Sequence, residues 1–138
     1  MNGLSVNLHL LLLCFYKPTD NRNVILIEAG AFPSDYHLVN SHIELANRDP
    51  KDCLVEIKPR DGEIGLREED IISKIHELGD RLALVLFPGV QSFSGQVFPM
   101  EAITKAAHDV GSFCGFDLAH AVGNVKGTAS KFRLESNF

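Results

Sequence analysis

The residues best placed to do chemistry are Asp117 and His120. They stand in Phe116-Asp117-Leu118-Ala119-His120-Ala121-Val122-Gly123-Asn124, directly after the apolar run Gly111-Ser112-Phe113-Cys114-Gly115, which reads as a buried strand. A carboxylate at the tip of such a strand loses its hydration and needs a cationic or hydrogen-bonding partner. A protonated pyridine nitrogen is one such partner. The carboxylate keeps the ring cationic, and a cationic ring is an electron sink, which is what a pyridoxal phosphate (PLP) enzyme requires of its protein. The same residues admit a plainer reading, in which Asp117 caps the following turn and His120 lies at the surface.

Other polar positions fall where a site could form. Phe32-Pro33-Ser34-Asp35 and Pro88-Gly89-Val90-Gln91-Ser92 each follow an apolar strand-like run, as Asp117-Leu118-Ala119-His120 does. In open α/β sheets ligands bind at the carboxyl ends of the strands, so the three loops converge on one edge. Gly3-Leu4-Ser5 precedes a helical run and offers free backbone N–H groups and a hydroxyl, which suits a phosphate or simply caps the helix.

These positions need elements to hold them. Val24-Ile25-Leu26-Ile27-Glu28, Cys53-Leu54-Val55-Glu56-Ile57, Leu82-Ala83-Leu84-Val85-Leu86-Phe87 and the run before Asp117 read as strands. Between them lie helical patterns. Ser5 starts one that runs through the leucines to Lys17-Pro18; Asp35 to Asn47 carries Leu38, His42 and Leu45 on one stripe. Ile71, Ile72, Ile75 and Leu78 repeat at helical spacing and stop at Gly79, and Pro99 opens a helix with Ile103, Ala106, Ala107 and Val110 on one face. Strands that are apolar throughout and alternate with helices predict an α/β fold, a mostly parallel sheet with helices on both faces.

The 138 residues suffice for one domain. Net charge is -5 with no basic cluster, which argues against a nucleic-acid partner. The three cysteines, Cys14, Cys53 and Cys114, lack metal-ligand spacing and read as reduced, buried thiols of a cytoplasmic protein; no metal site is expected. Leu10 to Tyr16 is too short to cross a bilayer, where about 20 apolar residues are needed, so no membrane association is expected and a buried helix is the reading.

Met1 to about Asn124 resembles kynureninase, a PLP enzyme of the aspartate-aminotransferase-like fold. The resemblance rests on Asn7-Leu8-His9-Leu10-Leu11, Glu28-Ala29-Gly30-Ala31-Phe32-Pro33-Ser34-Asp35, Ile57-Lys58-Pro59-Arg60 and Gly115 to Asn124, in the family's order. It implies that residues 1–124 are part of the large PLP-binding domain of a fold-type-I enzyme. It also implies hydrolysis of kynurenine or 3-hydroxykynurenine to alanine and the corresponding anthranilate, in tryptophan breakdown and the route toward NAD, by a cytoplasmic homodimer. Carried over by position, Leu4 and Ser5 sit at the cofactor phosphate. Phe32 lies against the pyridine ring, with Pro33, Ser34 and Asp35 completing that wall. Asp117 pairs with the ring nitrogen and His120 lies beside the cofactor.

The chain departs from the family at two places. Pro88 stands where the family has a serine, and proline offers neither a hydroxyl nor an N–H. The family holds its cofactor as a Schiff base to a lysine that follows a tyrosine; after Asp117 there are only Lys126 and Lys131, neither preceded by tyrosine. Residues 125–138 no longer resemble the family and read as a divergent, poorly ordered tail. The chain by itself is therefore expected to be inactive. The alternative is a non-catalytic truncated subunit that associates with the full-length enzyme through an exposed sheet edge.

Overall fold

The computed structural model describes residues 2–125; the expected tail from 126 onward lies outside the described residues. The elements run α1 (Leu4–Phe15), β1 (Val24–Glu28), α2 (Pro33–Leu45), α3 (Pro50–Cys53), β2 (Leu54–Ile57), α4 (Glu68–Leu78), β3 (Leu82–Pro88), α5 (Met100–Asp109) and β4 (Phe113–Asp117). The four strands form one sheet in the order β2-β1-β3-β4, and every pairing is parallel.

The apolar strands are explained by a core on each face. Val24 and Leu26 of β1 join Leu82, Val85 and Phe87 of β3 beneath α4 and α5, where Ile71, Ile75, Ile103 and Ala107 close the layer. Ile25 and Ile27 join Ala83, Leu84 and Leu86 on the opposite face, under Leu8 and Leu12 of α1 and Val39 and Ile43 of α2. Consecutive residues thus enter opposite cores, which leaves no position for a polar side chain along the central strands. Alternation breaks at Ala83-Leu84, in step with the register shift between Val24 and Ile25 where β1 meets β3.

Local chemistry sets the helix ends. Glu68, Glu69 and Asp70 fill the first turn of α4, where the helix dipole favours them, and Gly79 at φ 48° closes it. Pro33 opens α2 at its first turn, two residues before the expected start, because proline's missing N–H is not needed there. The Tyr16 hydroxyl donates to the carbonyl of Asn23 at 2.8 Å and so pins the end of α1 to the start of β1. The Phe15 ring lies 5.5 Å from that of Phe113 at the start of β4, which places the end of α1 at the sheet's amino edge.

Several expectations need correction. Leu45 is exposed, whereas Leu38 and His42 of the same stripe are buried. Pro50 begins a short helix, α3, which the sequence patterns do not predict; its N-cap is Asp49, accepting from the N–H of Lys51 at 2.9 Å. β4 is an edge strand, with Phe113 51% exposed, so the run before Asp117 is not buried as a whole. Helix α1 is buried only along Leu8 and Leu12, with Leu10, Leu11 and Leu13 exposed. Of the thiols only Cys53 is buried; Cys14 is exposed and Cys114 intermediate. Among the described residues no helix is long and apolar enough to cross a membrane.

Candidate functional site at the carboxyl edge of the sheet

The parallel sheet brings the ends of its strands together by construction. Glu28 ends β1, Pro88 ends β3 and Asp117 ends β4, with Pro88 directly paired to Asp117. Proline cannot donate to the ladder, and the next N–H, that of Gly89, donates to the Asp117 carbonyl at 2.7 Å. Pro33 starts α2 immediately above β1 and places Asp35 in its first turn.

The outcome is three carboxyl groups in one small volume. Glu28, Asp35 and Asp117 are only 3%, 8% and 6% exposed. The side chains of Asp35 and Asp117 lie within hydrogen-bonding reach of each other. The Ser34 hydroxyl donates to Asp35 Oδ1 at 3.1 Å, and the N–H of Ala119 donates to Asp117 Oδ1 at 2.7 Å. Asp117 therefore does cap the next turn, as the plainer reading had it, but it faces a second buried acid as well. The ion pairs found among the described residues involve none of the three acids.

Burial without a counter-ion disfavours ionisation. Loss of hydration pushes the Asp35 carboxyl up to about 6, helped by the charge of Asp117 and opposed by the Ser34 hydroxyl and by His120. Glu28 is pushed up to about 7, again chiefly by burial, with Asp35, Asp117 and Glu56 adding repulsion. The three acids thus have no cationic partner among the ion pairs described.

Phe32 and His120 form the rim. Phe32 is 45% exposed and its ring lies 6.1 Å from that of His120, tilted by 50°. Both rings border a cleft of roughly 600 Å³ that also takes in Glu28, Pro59, Ile64 and Phe93. An exposed phenylalanine at such a mouth presents a flat face on which a flat ligand can stack. Ser92 and Ser94 line the same cleft, whereas Pro88 faces a separate small cavity bordered by Glu28 and Asp35. Leu4 and Ser5 stand at the start of α1 and are not among the residues that line either cavity. Gly3, not Ser5, is the N-cap, and no side chain caps that helix, so the serine is positioned at the helix start without serving as its cap.

Three positions were not singled out as site residues from the sequence. Glu28 was visible only as the charged last residue of an otherwise apolar strand. Gln91 ties two loops, its Nε2 donating to the Gly30 carbonyl at 3.0 Å while its Oε1 accepts from the N–H groups of Phe93 and Ser94. Gly89 is required sterically, because a Cβ there would meet Ala121 Cβ and Leu118 Cδ2 at 2.9 Å each. Gly89→Ala is accordingly expected to force β3 away from the Asp117 turn and to cost about 1–3 kcal/mol. Urea unfolding of the variant checks this, and an unchanged midpoint would show that the turn yields freely.

No protein-family model matches the chain. Over 98% of its length it is 48% identical to kynureninase of Christiangramia forsetii, covering 32% of that protein. Over 91% of its length it is 54% identical to kynureninase of Mus musculus and 52% identical to that of Homo sapiens, covering 27% of each. Among solved structures, a cystine C-S lyase in complex with its product cysteine persulfide superposes with a TM-score of 0.63 at 14% identity, over 86% of this chain and 30% of that one. The PLP-bound C-S lyase of Staphylococcus hominis gives 0.60 at 13% identity, over 84% and 28%. These two likenesses are of fold alone, over less than a third of each enzyme. By sequence the chain is a relative of kynureninase, and it spans less than a third of the length of the kynureninases it matches.

Proposed function

We propose that this chain supplies the ring-binding part of a kynureninase-type site, with pyridoxal 5'-phosphate as its cofactor and kynurenine or 3-hydroxykynurenine as the substrate of the whole enzyme. The observation that carries the reading is the buried Asp35–Asp117 pair, which lacks a cationic partner among the ion pairs described and acts on Glu28, a residue of the cleft that Phe32 and His120 border. When bound, the cofactor supplies an electron sink for charge developing at the substrate's Cα. Asp117 holds the proton on the ring nitrogen, and Asp35 backs it from the start of α2. Phe32, with Pro33 and Ser34 fixing the loop, covers one ring face and excludes water. His120 flanks the ring on the open side. Leu4 and Ser5, at the positive end of α1, take the phosphate. In this reading residues 1–124 are part of the large domain of a cytoplasmic homodimer.

Lys126 and Lys131 do not stand after a tyrosine, so the 138 residues by themselves bind the cofactor without turning over substrate. The test is to titrate the chain with PLP by absorbance and to assay anthranilate release from kynurenine. Saturable binding with no release is the expected result. Release at an enzymatic rate overturns the claim of inactivity, and absence of binding overturns the site. Association with an intact kynureninase subunit is a second reading, favoured by the exposed edge of β4 at Phe113 and the exposed leucines of α1. Co-purification of the two chains tests it, and a monodisperse monomer that never co-purifies removes it.

A further inference from the structure

Glu28 is the buried acid for which neither the sequence motifs nor the proposed cofactor contacts provide a task. Its placement at the tip of a central strand is costly. It is 3% exposed, has no ion pair among those described, and lines both the cleft with Phe32 and His120 and the small cavity with Asp35. The groups that act on it are named by the fold. Asp35 faces it from α2, Asp117 from β4 and Glu56 from β2, all acidic, while β3 presents only Leu86, Phe87 and Pro88. His120 acts on the cluster through Asp35.

Burial beside Asp35 and under the charge of Asp117 disfavours ionisation of Glu28 while no cation is present, and a cation seated on Asp117 relieves that repulsion. We propose that Glu28 is a positioning residue that sets the charge of the site, holding a proton while no cation is present and releasing it to solvent when a cationic heteroaromatic ring docks against Asp117. This rests on the proposed function and extends it. On docking, the Glu28 O–H bond breaks and the proton passes to water, so the site gains one negative charge as it gains one positive one. By linkage, a ring that lowers the Glu28 midpoint must bind more tightly once Glu28 is ionised.

The experiment uses the 138-residue chain with glutamate carboxyls labelled for carbon NMR, with and without PLP. Without ligand the Glu28 carboxyl is expected to titrate near 7; with saturating PLP its midpoint falls by about one pH unit. Correspondingly, affinity of the parent chain relative to Glu28→Gln is near equal at pH 5 and rises about tenfold by pH 8.5, since a midpoint lowered by one pH unit on binding is a tenfold change in affinity. The ratio cancels protonation of the free ligand, which is common to both chains. PLP that binds while Glu28 titrates unmoved sinks this proposal and leaves the proposed function standing. A Glu28 midpoint below 5 in the ligand-free chain also sinks it, whatever the variant does. Absence of PLP binding overturns both.

Discussion

Asp117→Asn is expected to weaken PLP binding by about 10- to 100-fold. Asparagine keeps an oxygen for the Ala119 N–H, so the turn that Asp117 caps at 2.7 Å survives. What it loses is the charge that the proposed function sets opposite a ring N–H⁺. A hydrogen bond to a charged group contributes about 1.5–3 kcal/mol, and each 1.4 kcal/mol is tenfold in affinity. The variant also relieves repulsion, because Asp117 is among the charges that raise both Asp35 and Glu28. Weaker binding should therefore accompany equal or greater stability of the empty chain at neutral pH. That combination separates loss of a binding contact from damage to the fold. His120→Ala serves as the comparison: its ring is exposed at the rim, and a smaller loss is expected. An absorbance titration with PLP measures both variants. Equal affinity of Asp117→Asn and the parent chain would remove Asp117 from the ring nitrogen.

The second large effect concerns stability against pH. Asp35 is raised from 3.8 to about 6 and Glu28 from 4.5 to about 7 in the folded chain. Between these limits the native state binds more protons than the unfolded one, so stability falls as pH rises. The contribution is fully present below pH 4, and it is lost as pH climbs through 6 to 7. Each pH unit between the unfolded and folded midpoints corresponds to about 1.4 kcal/mol, which sets a ceiling of roughly 3 kcal/mol for either group. The two share the same repulsion, so their effects do not add. Surface pairs act in the other direction at acid pH: the Asp70 carboxyl is held below its usual range by Arg60, and Glu63 by Arg67. The chain is thus expected to be most stable near pH 5, with a decline toward pH 8 that Asp35→Asn reduces and saturating PLP suppresses. Urea unfolding across that range checks the curve, and stability that rises steadily from pH 5 to 8 contradicts the buried acid cluster.

Much of this arrangement was legible in the residues. Val24-Ile25-Leu26-Ile27-Glu28 could be read as a strand to the residue, because five consecutive positions face packed layers and β-branched side chains suit them. The helix ending at Gly79 was equally plain, since glycine at positive φ is a local signal. Phe32-Pro33-Ser34-Asp35 and Asp117-Leu118-Ala119-His120 could each be assigned to a loop at a strand's carboxyl end, and the resemblance assigned them to one cofactor.

Burial was less legible. Leu45 and the outer leucines of α1 are apolar yet exposed, and hydropathy alone does not say which side of a helix meets the sheet. Nor does a pattern of strands give their order. β4 reads as apolar as its neighbours, but its place at the edge leaves Phe113 open.

The amino-acid sequence by itself determined the elements other than α3, which takes up Cys53 of the expected strand, together with their parallel layering and the residues at the strand ends, because periodicity, turn residues and side-chain type act over a few neighbours. Only the tertiary structure decided that Asp35 and Asp117, 82 positions apart by their numbers, share one buried hydrogen-bonding site with Glu28. That proximity follows from the strand order β2-β1-β3-β4 and the start of α2 directly above β1. The resulting change in their ionisation depends on desolvation and on distance through space, neither of which is a property of local sequence.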